Sequence, residues 1–94
     1  MKKLIYAKAF RRAFKKHVRQ RPELLPLTEV ALRLLSEDPF HPALHSHKLK
    51  GKLARLWACT VDYDSRILFM FLPNPETGDE AILLVSMGTH REVY

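Results

Sequence analysis

Arg66-Ile67-Leu68-Phe69-Met70-Phe71-Leu72-Pro73-Asn74-Pro75-Glu76-Thr77-Gly78-Asp79-Glu80-Ala81-Ile82-Leu83-Leu84-Val85-Ser86-Met87 is the stretch that decides the fold. Arg66 to Leu72 and Ala81 to Met87 are apolar runs of strand length. Between them, Pro73 to Asp79 is dense in the Pro, Asn, Gly and Asp that turns require. The pair predicts two strands joined by a hairpin loop, the second so apolar that it belongs at the centre of a sheet. Upstream, Leu53 to Val61 reads as another strand, joined to the first of the pair at Asp62-Tyr63-Asp64-Ser65. Downstream, the tail after Gly88 is expected to add a short last strand.

The N-terminal half has a different period. After a short strand at Leu4 to Tyr6, Ala7 to Gln20 places Phe10, Phe14, His17 and Val18 on one side at helical spacing, with Lys and Arg around the rest. Pro22 and Pro26 mark a break and a second start, because Pro is tolerated in a first helical turn but not inside a helix. Leu27, Val30, Ala31, Leu34 and Leu35 form the expected apolar face of the second helix. It ends near Ser36-Glu37-Asp38, since Pro39 disfavours helix in the residue before it. Two helices with a short connection predict an antiparallel hairpin. Pro39 to Lys52, with its two prolines and three histidines, reads as a loop running into the sheet. Helices first and antiparallel strands afterwards make an α+β fold: an N-terminal helical hairpin packed on a small antiparallel β-sheet.

At 94 residues the chain is expected to form one domain, 1–94. An apolar fraction of 47% argues against disorder. No apolar run approaches the roughly 20 residues of a membrane span, and Lys8, Arg11 and Arg12 break the N-terminal apolar stretch before a signal-peptide core forms. Export is therefore not expected, and the reading is cytoplasmic. The one cysteine, Cys59, falls in an apolar run and reads as a buried structural thiol. A formal charge of +6 suits an anionic partner. Its placement says more: Lys2, Lys3, Lys8, Arg11, Arg12, Lys15, Lys16, Arg19 and Arg21 all precede the first acidic residue, and Lys48, Lys50, Lys52 and Arg55 form a second cluster. Such clusters fit phosphate contact or an acidic protein partner; a solvated helix face is the plain alternative.

His41-Pro42, Lys48-Leu49-Lys50-Gly51, Asp64 to Phe69 and Gly88-Thr89-His90-Arg91-Glu92-Val93-Tyr94 stand in this order and spacing along the chain. In that arrangement the sequence resembles the RelE/ParE toxin superfamily, and within it the YafQ-like mRNA interferases. The resemblance covers essentially the whole chain. It implies a toxin of a type II toxin–antitoxin system that cuts messenger RNA at the ribosome. It also implies a cognate acidic antitoxin that silences the toxin in a hetero-oligomer. No cofactor and no membrane partner is implied.

Metal-free RNA cleavage commonly lets the 2′-hydroxyl attack its own 3′-phosphate, which needs a base, an acid and positive charge beside the phosphate. His90 is the first candidate for acid or base, because an imidazole near pKa 6.5 serves either role, and the resemblance gives the histidine of Gly88-Thr89-His90 a catalytic role. By the same resemblance Asp64 matches a catalytic aspartate, Arg66 a phosphate-facing arginine, and Tyr94 an aromatic that stacks on a nucleotide. From the residues alone, Asp64 and Arg66 fit a shared site or an ordinary salt bridge, and Tyr94 fits stacking or core packing. His41, His45 and His47 compete for one further role; His45 and His47 fit it by counting back from Lys50-Gly51, His41 by its His-Pro signature. A metal site on the three lacks a completing ligand nearby. Lys48, Lys50 and Lys52 share one face if the chain is extended there, and with Arg55 and Arg91 they are the candidate RNA contacts. One departure stands out. YafQ-like members carry a second histidine before the catalytic aspartate, and here that position is Thr60. A gyrase-poisoning ParE-like toxin and a catalytically degenerate antitoxin-binding module remain alternatives.

Overall fold

A computed structural model gives the fold, and the structure describes residues 1–93. The chain runs β1 (Leu4–Tyr6), α1 (Lys8–Gln20), α2 (Leu24–Glu37), β2 (His47–Lys48), β3 (Trp57–Thr60), β4 (Ser65–Pro73), β5 (Glu80–Thr89) and a last helical turn, α3 (His90–Val93). The strands form one five-stranded sheet in the order β1-β5-β4-β3-β2. This is the expected α+β architecture, with two helices packed on a mostly antiparallel sheet.

The main core lies between helices and sheet. Phe10 from α1 and Leu24, Ala31 and Leu35 from α2 pack with Ile67, Phe69, Ile82, Leu84 and Met87 from the two long strands. Each of these removes apolar surface from water, the main favourable term in a domain this small. The opposite face carries a smaller cluster: Leu49, Ala58 and Leu68, with Leu56 and Val85 against them. Leu49 and Leu56, joined by the Leu49 N–H to Leu56 carbonyl bond of 3.0 Å, seat the intervening loop on that face.

Several expectations are corrected. β1 pairs parallel to β5, with Leu4 opposite Ile82 and Tyr6 opposite Leu84, so the sheet is mixed. β5 is interior as expected, paired with β1 on one side and β4 on the other, and β4 is the middle strand of the five. β5 is almost continuously apolar because of a bulge. Leu68 pairs with Ser86 and Phe69 with Leu84, which leaves Val85 as an extra residue. The extra residue lets Leu84 and Met87, three apart, both face the helices opposite Phe69 and Ile67.

β3 is much shorter than Leu53 to Val61. Gly51 at φ +68° turns the chain into a 3-10 turn over Gly51–Leu53, closed by the Ala54 N–H to Gly51 carbonyl bond of 3.1 Å. Lys50 therefore precedes the turn and Lys52 lies within it, and the extended geometry that would align them with Lys48 is absent. In α2 the buried stripe is Leu24, Thr28, Ala31 and Leu35. Leu27 and Val30, expected inside, are 41% and 45% exposed. The helix begins two residues ahead of Pro26, and Leu24 rather than Leu27 anchors its phase. Among the described residues the tail forms no new strand: β5 runs on to Thr89 and the chain then turns into α3.

Candidate active site

The turn from β3 to β4 is built on Asp62. Its Oδ1 accepts from the Asp64 N–H at 3.0 Å and the Ser65 N–H at 2.6 Å, an Asx-type closure that fixes the turn by a side chain. Its Oδ2 accepts from Arg21 Nη2 at 2.8 Å, so the turn is also tied to the end of α1. Partial burial opposes ionisation of Asp62, but the hydrogen bonds from Arg21, Ser65 and Asp64 outweigh it and hold the carboxyl below its ordinary value. Asp62 was not among the sequence candidates. Its signal in the sequence is that of a short acid able to bond the backbone two residues on, a property that Asp64 shares.

Asp62 thus sets a pH dependence with a definite sign. A carboxyl depressed in the folded state contributes stability that is fully present above its unfolded pKa, about 4, and is lost as pH falls through the lower folded value. The urea midpoint of the wild-type chain should fall more steeply below about pH 4 than that of Asp62→Asn. Parallel curves for the two proteins would show that the Asp62 interactions carry no net stability.

On this turn sit two candidates. Arg66 donates from Nη1 to the Asp62 carbonyl at 2.7 Å and the Ser65 carbonyl at 3.1 Å, which braces its guanidinium against the turn. Among the described residues, Asp64 and Arg66 form no ion pair; the bridge in this region is Asp62 to Arg21. Cross-strand register then assembles the rest. Arg66 lies between Thr60 on β3 and Gly88 on β5, and Ser65 lies opposite Thr89. The His90 N–H donates to the Asp64 carbonyl at 2.6 Å, which fastens the tail to the same turn.

His90 opens α3, and the four residues Thr89-His90-Arg91-Glu92 close on themselves. The Glu92 N–H donates to Thr89 Oγ1 at 3.2 Å and the Thr89 N–H donates to Glu92 Oε1 at 2.8 Å, a reciprocal capping box. The bond from the Thr89 amide, more than the nearby His17, holds the Glu92 carboxyl below its usual value. His90 and Arg91 are both exposed. Tyr94 lies outside the described residues.

The three loop histidines separate. His41 caps the 3-10 turn Pro42–Leu44, its Nδ1 accepting from the Ala43 N–H at 3.1 Å, so the His-Pro pair has a structural role here. His45 ends that turn in the left-handed region at φ +48°. His47 stands in β2 opposite Ala58, with Nδ1 3.1 Å from the His45 carbonyl. Cross-strand partners share a face, so His47 lies on the Ala58 and Leu68 face. Thr60 and Arg66 are two residues further along those strands on that face. Lys48 pairs with Trp57, and one residue along β2 reverses the face. Lys50, Lys52 and Arg55 are exposed on the loop that Leu49 and Leu56 seat beside Leu68. The register therefore gathers Asp64, Arg66 and His90 at one end of the sheet, with His47 one row away and the loop cations flanking. Among the described residues, no group of three or more His, Cys, Asp or Glu side chains is placed to hold a metal. Nor is any helix long and apolar enough to cross a membrane. Burial pushes the Cys59 thiol up to about 12, so it is no nucleophile at neutral pH.

This geometry has relatives. A copper-bound mutant toxin from Helicobacter pylori superposes with a TM-score of 0.73 at 28% identity, covering 100% of both chains. YafQ from E. coli strain BL21(DE3) gives 0.78 at 14% identity over 100% of this chain and 99% of that one, a likeness of fold. The E. coli DinJ–YafQ toxin–antitoxin complex gives 0.75 at 15% identity, covering 99% and 97%. No curated protein sequence matches significantly. The family profile described as the bacterial toxin of type II toxin–antitoxin system, YafQ, matches residues 2–94. With a match across that whole span, the chain belongs to the YafQ family of type II toxin–antitoxin toxins.

Proposed function

We propose that this toxin is a metal-independent endoribonuclease that cuts messenger RNA on the ribosome, and that an acidic antitoxin silences it in a hetero-oligomer in the cytoplasm. The observation that carries the reading is the tie between the His90 N–H and the Asp64 carbonyl, which brings an imidazole-bearing turn to the strand end that presents Arg66. His90 exchanges a proton with the reacting or leaving oxygen, and Asp64 assists that exchange. Arg66 stabilises the charge that builds on the phosphate, using guanidinium nitrogens other than the Nη1 spent on the turn. His47 or His45 supplies the second acid–base group that Thr60 lacks, and Tyr94 stacks on a nucleotide. Lys48, Lys50, Lys52, Arg55 and Arg91 contact RNA backbone, an interaction that weakens with salt. The antitoxin partner is supported by the DinJ–YafQ complex among the structural relatives.

Expression of the chain alone should arrest growth, and co-expression of a cognate acidic antitoxin should relieve it. Primer extension on a translated message should reveal breaks in frame with codons. Intact messages combined with loss of gyrase supercoiling activity would favour the gyrase-poison reading. Absence of arrest with tight antitoxin binding would favour a degenerate module.

A further inference from the structure

The C-terminal end of α1, with its capping residue Arg21, touches both segments that carry the proposed catalytic groups. His17 lies in the last turn of α1, and Arg21, four residues on, is the residue that caps it, its N–H donating to the His17 carbonyl at 2.8 Å. His17 is nearly buried, its side chain 11% exposed, and its Nε2 lies 3.5 Å from Glu92 Oε1 in the C-terminal turn. Arg21 Nη2 lies 2.8 Å from Asp62 Oδ2, and its Nη1 lies 3.5 Å from Ser65 Oγ, both in the β3–β4 turn. The Asp64-to-His90 backbone bond then joins the two segments to each other. The contacts form a closed ring: Arg21, Asp62, the turn, Asp64, His90, the capping box, Glu92 and His17.

We propose that His17 and Arg21 are positioning residues that set the distance between His90 and the Asp64–Arg66 turn. The inference rests on the nuclease reading above for its catalytic consequence, but the clamp itself is a structural claim. An isolated surface ion pair contributes little to stability. This pair differs because Asp62, with its side chain only 16% exposed, uses the same carboxylate to shape the turn and to receive Arg21. Loosening the ring therefore moves reacting groups more than it unfolds the chain. A displacement near 1 Å is enough to cost about 100-fold in rate.

The test uses the full chain with Arg21→Gln, Arg21→Lys and Glu92→Gln, in two measurements. Hydrogen exchange at the His90 amide, followed by NMR, should quicken about tenfold or more in Arg21→Gln and Glu92→Gln. Arg21→Lys, which keeps the charge, should restore part of the protection. Single-turnover cleavage of message on ribosomes should slow by about 10- to 100-fold in the same two variants, with the concentration dependence little changed. His90 protection unchanged in folded variants overturns the clamp. A loss of cleavage that lies wholly in KM also overturns it, because the residues would then bind RNA. If Arg21→Gln fails to fold, Glu92→Gln and Arg21→Lys decide the matter. If the wild-type chain cuts no RNA, the nuclease reading fails, and exchange at His90 still decides the clamp.

Discussion

His90→Ala is expected to slow message cleavage by about 10²- to 10⁴-fold, the range for removing a positioned general acid or base. The substitution suits the purpose because it removes the imidazole and keeps the backbone tie that holds the tail. His90 is exposed, and the bond it makes to Asp64 comes from its backbone N–H, which alanine keeps. The capping box that shapes α3 belongs to Thr89 and Glu92 and is also preserved. Thermal stability should therefore change by no more than a surface substitution does, within about 0.5 kcal/mol. Growth arrest on expression should disappear while antitoxin binding persists. Cleavage within a few fold of wild type would remove His90 from the mechanism and leave the family's tail motif with a binding role only.

The largest effect on the fold is expected from Phe69→Ala. Phe69 is fully buried on the central strand, packed in the main core and edge-on to Phe71 at 5.6 Å between ring centroids. Deleting a buried phenyl ring removes its transfer free energy and leaves a cavity, a cost of about 3–5 kcal/mol. Native domains are stable by only about 5–15 kcal/mol, and a chain of this size belongs at the low end. The urea midpoint should fall by a large fraction, and the variant should sit near its unfolding transition at growth temperature. Tyr63→Ala is the control, because Tyr63 is 89% exposed at the tip of the β3–β4 turn and should stay within about 0.5 kcal/mol of wild type. A loss below about 1 kcal/mol for Phe69→Ala would mean that the core is placed elsewhere.

What the sequence made legible follows the range of the interactions involved. The α1 stripe of Phe10, Phe14, His17 and Val18 lies on the core side because helical phase is local: Phe10 and His17 are buried, and Phe14 and Val18 pack against the core. The phase of α2 was misread because Leu24, ahead of Pro26, looked like part of the break, whereas Pro26 stands in the third position of a helix that has already begun. The parallel β1–β5 pairing and the Val85 bulge depend on partners far along the chain, and no local period announces them. Asp62 was passed over for a related reason: its partner Arg21 is 41 residues away. By contrast, Thr89-x-x-Glu92 is a capping-box pattern that stood in plain view. Reading it would have turned the expected last strand into the helical turn that carries His90.

Strand register places Arg66, and the bond from the His90 N–H to the Asp64 carbonyl brings the tail to the same turn, so the chemistry proposed for the three residues has one direct test. The claim is that the RNA's own 2′-hydroxyl attacks the adjacent phosphate. A message carrying a single 2′-deoxy nucleotide at the cleavage point, presented on translating ribosomes, isolates that step. The unmodified message should be cut to a 5′-hydroxyl fragment and a 2′,3′-cyclic or 3′-phosphate, and the deoxy-substituted message should stay intact at that bond. Cleavage of the deoxy-substituted bond at the wild-type rate would contradict the account, because the nucleophile would then come from elsewhere.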